Sequence, residues 1–280
     1  MKYGFIGCGN MGGALARALA KTTQDFIIAD PSPAAASFAA EIGCAYGTNA
    51  QVANCDRIFL AVKPHIVEGA LAQLRPILAE RKPVLISMAA GVNISQIENW
   101  VGTALPVIRI MPNTPAAVGK GMITYCTNSL VEDATVADFL ADMAQAGQFD
   151  RLDESLIDAA TAVTGCGPAF MYMFIEAMAD AGVACGLPRA KAQQYAAATM
   201  AGAAEMVLQT GQHPGVLKDA VCSPGGSTIV GVRTLRNTDS AAQSWTALTT
   251  LTSAVKSWAR SKDSTKGVGL YPLPFYCRDK

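Results

Sequence analysis

Residues 2–20, Lys-Tyr-Gly-Phe-Ile-Gly-Cys-Gly-Asn-Met-Gly-Gly-Ala-Leu-Ala-Arg-Ala-Leu-Ala, decide the fold. Lys2 to Ile6 reads as a short apolar strand, and Gly13 to Ala20 reads as a helix. Between them stands Gly7-Cys8-Gly9-Asn10-Met11-Gly12, a GxGxxG loop in the strand–loop–helix context that gives it meaning. Gly7 makes the tight turn, Gly9 lets the backbone approach a pyrophosphate, and Gly12 permits close helix packing, with the helix N-terminus facing the phosphates. A plain glycine-rich connection is the competing reading, and the flanking strand and helix weigh against it.

The second strand, Phe26 to Ala29, ends at Asp30, about 20 residues beyond the loop, where a dinucleotide fold places an acid for the ribose hydroxyls. A carboxylate there repels a 2′-phosphate, which modestly favours NADH over NADPH. Ser32 could instead receive a phosphate, and Asp30 could simply open the Asp-Pro-Ser-Pro turn and cap the helix from about Pro33 to Ile42. Further strands follow at Arg57 to Val62, Pro83 to Met88 and Pro106 to Ile110, separated by helical stretches, with short ones at Thr124 to Thr127 and Gln148 to Asp150. That alternation predicts a Rossmann-type doubly wound α/β sheet over residues 1–152. Residues just past its strand ends line the ligand crevice, which nominates Lys63 and Pro64 as cofactor contacts and Ala90 as a small residue against a nicotinamide ring. His65, one residue into the next helix, is read as structural. Met111-Pro112-Asn113-Thr114-Pro115 is a rigid turn with one amide and one hydroxyl.

From about Asp153 the alternation stops. Ser155 to Val163 is helical, Thr164-Gly165-Cys166-Gly167-Pro168 breaks it, and Ala169 to Ala184 and Arg189 to Gln209 are long helices. Phe170, Met171, Met173, Phe174, Ile175 and Met178 on the first of these are core or subunit interface. An all-helical segment over 153–235, this apolar and too small to bury itself, predicts a homodimer or higher oligomer formed through it.

The 280-residue chain is 51% hydrophobic and 16% charged, ample for buried cores in a soluble protein. Twenty-two basic residues balance 22 acidic ones without a basic run, so neither nucleic acid nor an anionic membrane is an expected partner. The start shows no signal peptide, and no apolar span is read as long enough for a membrane helix; a cytoplasmic protein is expected. Cys8, Cys44, Cys55, Cys126, Cys166, Cys185, Cys222 and Cys277 are scattered without a CxxC pair and are expected to be reduced and mostly buried. With only His65 and His213 and no companion ligands, no metal site is expected.

Val221-Cys222-Ser223-Pro224-Gly225-Gly226-Ser227-Thr228-Ile229 is a turn opening a helix. Its backbone N–H groups and hydroxyls suit a small carboxylate, and equally an ordinary Pro-Gly-Gly loop with a Ser/Thr N-cap.

Val-Lys-Pro at 62–64, Met-Pro-Asn-Thr-Pro at 111–115, AVTGCGPAF at 162–170, GLPR at 186–189 and especially QHPGVLKDAVCSPGGSTI at 212–229 resemble the pyrroline-5-carboxylate reductase family over about residues 1–235. The resemblance implies a Rossmann domain, a helical dimerisation domain, and hydride transfer from NADPH or NADH to the C=N carbon of 1-pyrroline-5-carboxylate, giving L-proline. It implies cofactor contacts at Gly9, Asn10, Met11, Asn49, Lys63, Pro64 and Ala90. It implies a substrate carboxylate held by Ser223, Gly225, Gly226, Ser227 and Thr228, with Thr228 beside the imine nitrogen as hydrogen-bond partner or proton relay. Ala220 and Gly211 stand where some members carry Asn and Glu, so neither side chain is available here.

Residues 236–280 depart from that pattern, being polar and rich in Thr and Ser. Codons permitted for the residues from Leu235 onward, read one base out of step, give EKHGFRSAVMD and then GIDDANQRSQKLGKK, which resembles the family's last helix. The expectation is a lost nucleotide near the Leu235 codon. Two other functions compete: a β-hydroxyacid dehydrogenase, disfavoured because no lysine lies between Arg151 and Arg189, and a non-catalytic NAD(P)-binding protein.

Overall fold

A computed structural model describes residues 1–237. The first part runs β1 (Tyr3–Ile6), α1 (Asn10–Leu19), β2 (Phe26–Ala29), α2 (Pro33–Ile42), β3 (Ala45–Tyr46), α3 (Asn49–Val52), β4 (Arg57–Leu60) and α4 (Pro64–Arg81). It continues with β5 (Val84–Ser87), α5 (Ile94–Val101), β6 (Val107–Met111), β7 (Gly121–Thr127), α6 (Asp133–Asp142) and β8 (Gly147–Arg151). The strands form one sheet in the order β3-β2-β1-β4-β5-β6-β7-β8. Every pairing is parallel except β6 with β7, which is antiparallel.

Strands buried on both faces read as continuous apolar runs, and β1, β2, β4 and β6 are buried at every residue. One face carries an aromatic stack in which Phe5 and Phe59 lie parallel at 4.3 Å, flanked by Phe26 and Phe139. The other is packed by Leu71, Leu74 and Leu78 of α4 and Ile97 of α5. Each such side chain contributes about 1.5–3 kcal/mol when fully buried. Local signals set the helix starts: Thr48 with Gln51, and Asn93 with Gln96, form reciprocal capping boxes on α3 and α5. Away from the crevice end of the sheet, buried Arg57 at the start of β4 donates to the Tyr3 hydroxyl and to Asp138 and Asp142 of α6. Several local boundaries differ from the sequence expectation: β4 ends at Leu60 instead of Val62, and β7 begins at Gly121 instead of Thr124. Helix α1 begins at Asn10 instead of Gly13, so Asn10, Met11 and Gly12 form its first turn, and the two-residue edge strand β3 is too short to announce itself by periodicity.

Helices α7 (Glu154–Thr164), α8 (Gly167–Ala184), α9 (Arg189–Thr210), α10 (Pro214–Ala220) and α11 (Ser227–Asn237) complete the described chain. The expected break falls at Gly165 and Cys166, between α7 and α8, but it does not reverse the chain. Gly165 and Cys166 keep right-handed helical dihedrals, and Pro168 sits in the first turn of α8, where no N–H is needed. Glu154–Ala184 is therefore a 31-residue helical run, long and apolar enough to cross a membrane by length and composition, contrary to the expectation of no such span.

Helices α8 and α9 pack on each other through Ala179, Ala192 and Ala196, with Ile175 and Val183 alongside. Little else in them is buried. Met171, Tyr172, Met173 and Phe174 are exposed, so in the single chain they form no core and remain interface candidates. The altered-frame expectation concerns residues that lie almost wholly outside those described.

Candidate active site

The candidate cofactor residues gather along one edge because each follows the C-terminal end of a strand. Gly7, Gly9, Asn10, Met11 and Gly12 follow β1; Asp30 and Ser32 follow β2; Asn49 follows β3; Lys63 and Pro64 follow β4; and Ala90 follows β5. Since β2, β1, β4 and β5 are adjacent, these turns flank the point where the chain leaves β1 in opposite directions, the crevice of a doubly wound sheet.

The three glycines have different surroundings. Gly7 has φ of +92°, and a Cβ there would lie 2.7 Å from Val62 Cγ1. A Cβ on Gly12 would lie 2.9 Å from Ala61 Cβ and 3.1 Å from the Gly7 carbonyl oxygen, so its hydrogen lets α1 lie against the sheet. Gly9, the N-cap of α1, has nothing within 4 Å of that position. Its open side, together with first-turn N–H groups that receive no side-chain cap, forms a cradle of the kind a pyrophosphate fills. A dinucleotide fits the residues present.

Asp30 is held firmly. Its carboxylate accepts the Cys8 N–H at 2.6 Å and the Ser32 N–H at 2.7 Å, and its carbonyl accepts the Tyr46 hydroxyl at 2.9 Å. The N-cap of α2 is Ser32, whose Oγ accepts the Ala34 N–H. Lys63 is the exposed N-cap of α4 and makes no ion pair among the described residues; His65 is exposed in the first turn that follows. Burial, and after it the charge of Asp30, pushes the Cys8 thiol up to about 11.

A polar joint missed by sequence reading fastens the helices to the sheet. Arg109 of β6, 3% exposed, pairs with Glu154 and Asp158 of α7 at 3.1 Å each. Glu154 also accepts the Ile94 N–H at the start of α5. Asn113, in the rigid turn after β6, donates to the Thr164 carbonyl and accepts the Met122 N–H. The signal for Arg109 was a single charge inside the apolar run Val-Ile-Arg-Ile-Met, which demands a partner without saying which.

The segment 221–229 forms a local turn. Gly226 N–H donates to the Ser223 carbonyl, closing a turn with Gly225 at φ +69°, and α11 starts at Ser227. Ser223, Gly225, Ser227 and Thr228 are exposed and Gly226 is half-buried. Among the described residues, no hydrogen bond joins Ser223, Gly225, Gly226, Ser227 or Thr228 to residues 1–152. A single chain brings the candidate cofactor residues to one edge of the sheet, and the candidate carboxylate turn makes no hydrogen bond to them among the described residues.

The cysteines need a correction. Seven described ones are free, but only Cys55 and Cys126 are buried; Cys8, Cys44, Cys166 and Cys222 are half-buried and Cys185 is exposed. The reason is position: Cys8 belongs to the crevice loop, Cys166 and Cys185 flank the ends of α8, and Cys222 lies in the turn between α10 and α11, a region that covers little of its own surface.

A family profile described as pyrroline-5-carboxylate reductase dimerisation matches residues 154–257, and one described as NADP oxidoreductase coenzyme F420-dependent matches residues 2–91. The pyrroline-5-carboxylate reductase of Escherichia coli K12 is 43% identical over 244 residues, spanning 84% of this chain and 89% of that protein. The Arabidopsis thaliana pyrroline-5-carboxylate reductase is 38% identical, over 84% of this chain and 87% of that protein. Among solved structures, Plasmodium falciparum pyrroline carboxylate reductase with NADP bound superposes with a TM-score of 0.83 at 34% identity, covering 92% of this chain and 98% of that one.

Proposed function

The chain belongs to the pyrroline-5-carboxylate reductase family, and from that premise we infer how its residues divide the work. It is an NAD(P)H-dependent oxidoreductase that reduces 1-pyrroline-5-carboxylate to L-proline. We assign residues 1–152 to cofactor binding, 153–235 to substrate binding and dimerisation, and 236–280 to a stretch altered by a lost nucleotide, which resequencing around the Leu235 codon tests.

The nicotinamide cofactor supplies the hydride. In our reading Gly7, Gly9, Asn10, Met11 and Gly12 hold its pyrophosphate through backbone N–H groups, Asp30, Ser32 and Asn49 border the adenosine ribose, and Lys63, Pro64 and Ala90 line the path to the nicotinamide. The charge of Asp30 modestly favours NADH. Ser223, Gly225, Gly226 and Ser227 hold the substrate carboxylate at the turn before α11. Thr228 sets the protonated imine by accepting its N–H at Oγ1. A protonated imine is already electrophilic: hydride reaches its carbon, the C=N π pair becomes the lone pair on nitrogen, and the product amine keeps the proton. The protein's share is alignment and exclusion of water.

The observation that carries this reading is the open cradle at Gly9 and the uncapped start of α1, at the edge of the sheet where the other candidate cofactor residues gather. We propose that the exposed faces of α8 and α9 pair with a second copy, and that this homodimer supplies the enclosure the single chain lacks. A cytoplasmic location is consistent with the free thiols among the described residues.

The test is oxidation of NADH and of NADPH by the purified chain with 1-pyrroline-5-carboxylate, run beside Thr228→Ala and Thr228→Ser. Turnover by the parent, a loss of about 10²-fold in kcat for Thr228→Ala and substantial recovery in Thr228→Ser are expected. Cofactor binding without turnover by the parent would leave a non-catalytic NAD(P)-binding protein. Full activity in Thr228→Ala would remove Thr228 from the chemistry.

A further inference from the structure

Asp30 lies immediately after β2, and its carboxylate and carbonyl oxygens accept three hydrogen bonds from the surrounding chain. Oδ2 takes the Cys8 N–H and Oδ1 takes the Ser32 N–H, at 2.6 and 2.7 Å, while Tyr46 reaches from the end of β3 to hold the Asp30 carbonyl. Hydrogen bonds from N–H to an ionised carboxylate are shorter and stronger than neutral ones. Their target lies between two glycines: Cys8 stands between Gly7, in the left-handed region, and Gly9, which has open space on its crevice side. Glycine loses more backbone freedom on ordering than any other residue, so a loop of this composition needs an external tie to keep one shape.

We propose that Asp30 is a positioning residue for the phosphate-binding loop. It fixes Cys8 so that Gly9 and the first N–H groups of α1 face the pyrophosphate, and its effect on cofactor affinity runs through that loop instead of through the ribose 2′-hydroxyl. The inference rests on the cofactor site assigned above. The carboxylate's charge, which disfavours a 2′-phosphate, is a separate property of the same group.

The test is a cycle between protein and ligand, using NADH and its analogue lacking the adenosine 2′-hydroxyl, with Kd measured for the full-length parent and for Asp30→Asn. The asparagine keeps one acceptor but presents an N–H to the second backbone donor, so one tie is lost. The expected result is that Asp30→Asn weakens both ligands by the same factor, about tenfold. The proposal is overturned if the loss is confined to NADH, which would make Asp30 a direct ribose acceptor. It is equally overturned if neither Kd moves, or if only the binding-competent fraction falls, as in simple destabilisation. A parent that binds neither ligand would overturn the cofactor site itself.

Should Asp30→Asn fail to fold, the parent labelled with ¹⁵N-cysteine provides a second readout, the Cys8 amide being assigned through Cys8→Ser. Its proton is expected downfield and protected from exchange, and to stay so when NADH binds. Loss of that signature on binding would show the carboxylate leaving the loop for the ribose and sink the proposal.

Discussion

Two glycines three residues apart have opposite surroundings. A methyl on Gly9 projects into open crevice, and the Gly9 dihedrals, φ −65° and ψ −169°, suit alanine. A methyl on Gly12 meets Ala61 and the Gly7 carbonyl. Gly9→Ala is therefore expected to keep its thermal midpoint and weaken NADH binding, since the new carbon occupies pyrophosphate space. Gly12→Ala is expected to lose about 1–3 kcal/mol of stability by overpacking. Thermal unfolding and NADH titration of both variants check this pair, and equal effects on the two measurements would refute the distinction. Both glycines were legible in the sequence as a motif. Which one faces ligand and which faces protein was not, because that depends on Ala61, about fifty residues away.

Helix α7 owes its place to charge as well as to apolar packing. Ile157 is buried in the sheet-side core, and Glu154 and Asp158, on the same helical face at i and i+4, straddle Arg109. Both acids retain some exposure, 34% and 22% of the side chain, whereas the arginine retains 4%. Arg109→Met strips two half-buried carboxylates of their partner and is expected to cost about 3 kcal/mol, the low end for breaking a buried pair because the acids can rehydrate. A lower urea midpoint at unchanged slope is the expected observation. Adding Glu154→Gln and Asp158→Asn should recover part of the loss, and failure to do so would show that the ions are not what holds α7. The start of this helix was legible in the change of periodicity near Asp153. Its continuation past Gly165 and Cys166 was not, since a Gly-Cys-Gly-Pro run is compatible with either a reversal of the chain or an onward run, and only packing selects between them.

At the scale of the whole molecule, the described chain is a well-buried sheet domain carrying a helical arm with little core of its own. Phe174 is 47% exposed and Met173 67% exposed on a helix of high mean hydropathy, a surface that water does not favour leaving open. Phe174→Glu is expected to convert the oligomer to monomers by light scattering, with turnover falling in proportion to the lost dimer. A variant that stays dimeric, or a monomer that keeps full turnover, would contradict pairing through this face. What the sequence determined by itself was whatever depends on neighbours along the chain: the strand–glycine–helix unit, the alternation that builds the sheet, the switch to helices, and the turn before α11. What only the tertiary structure decided were the relations between distant residues. Asp30 is tied to Cys8, and Arg109 is enclosed by Glu154 and Asp158. Backbone propensity and hydrophobic period act over a few residues, whereas a buried charge or an open crevice is satisfied by whatever the fold brings near it.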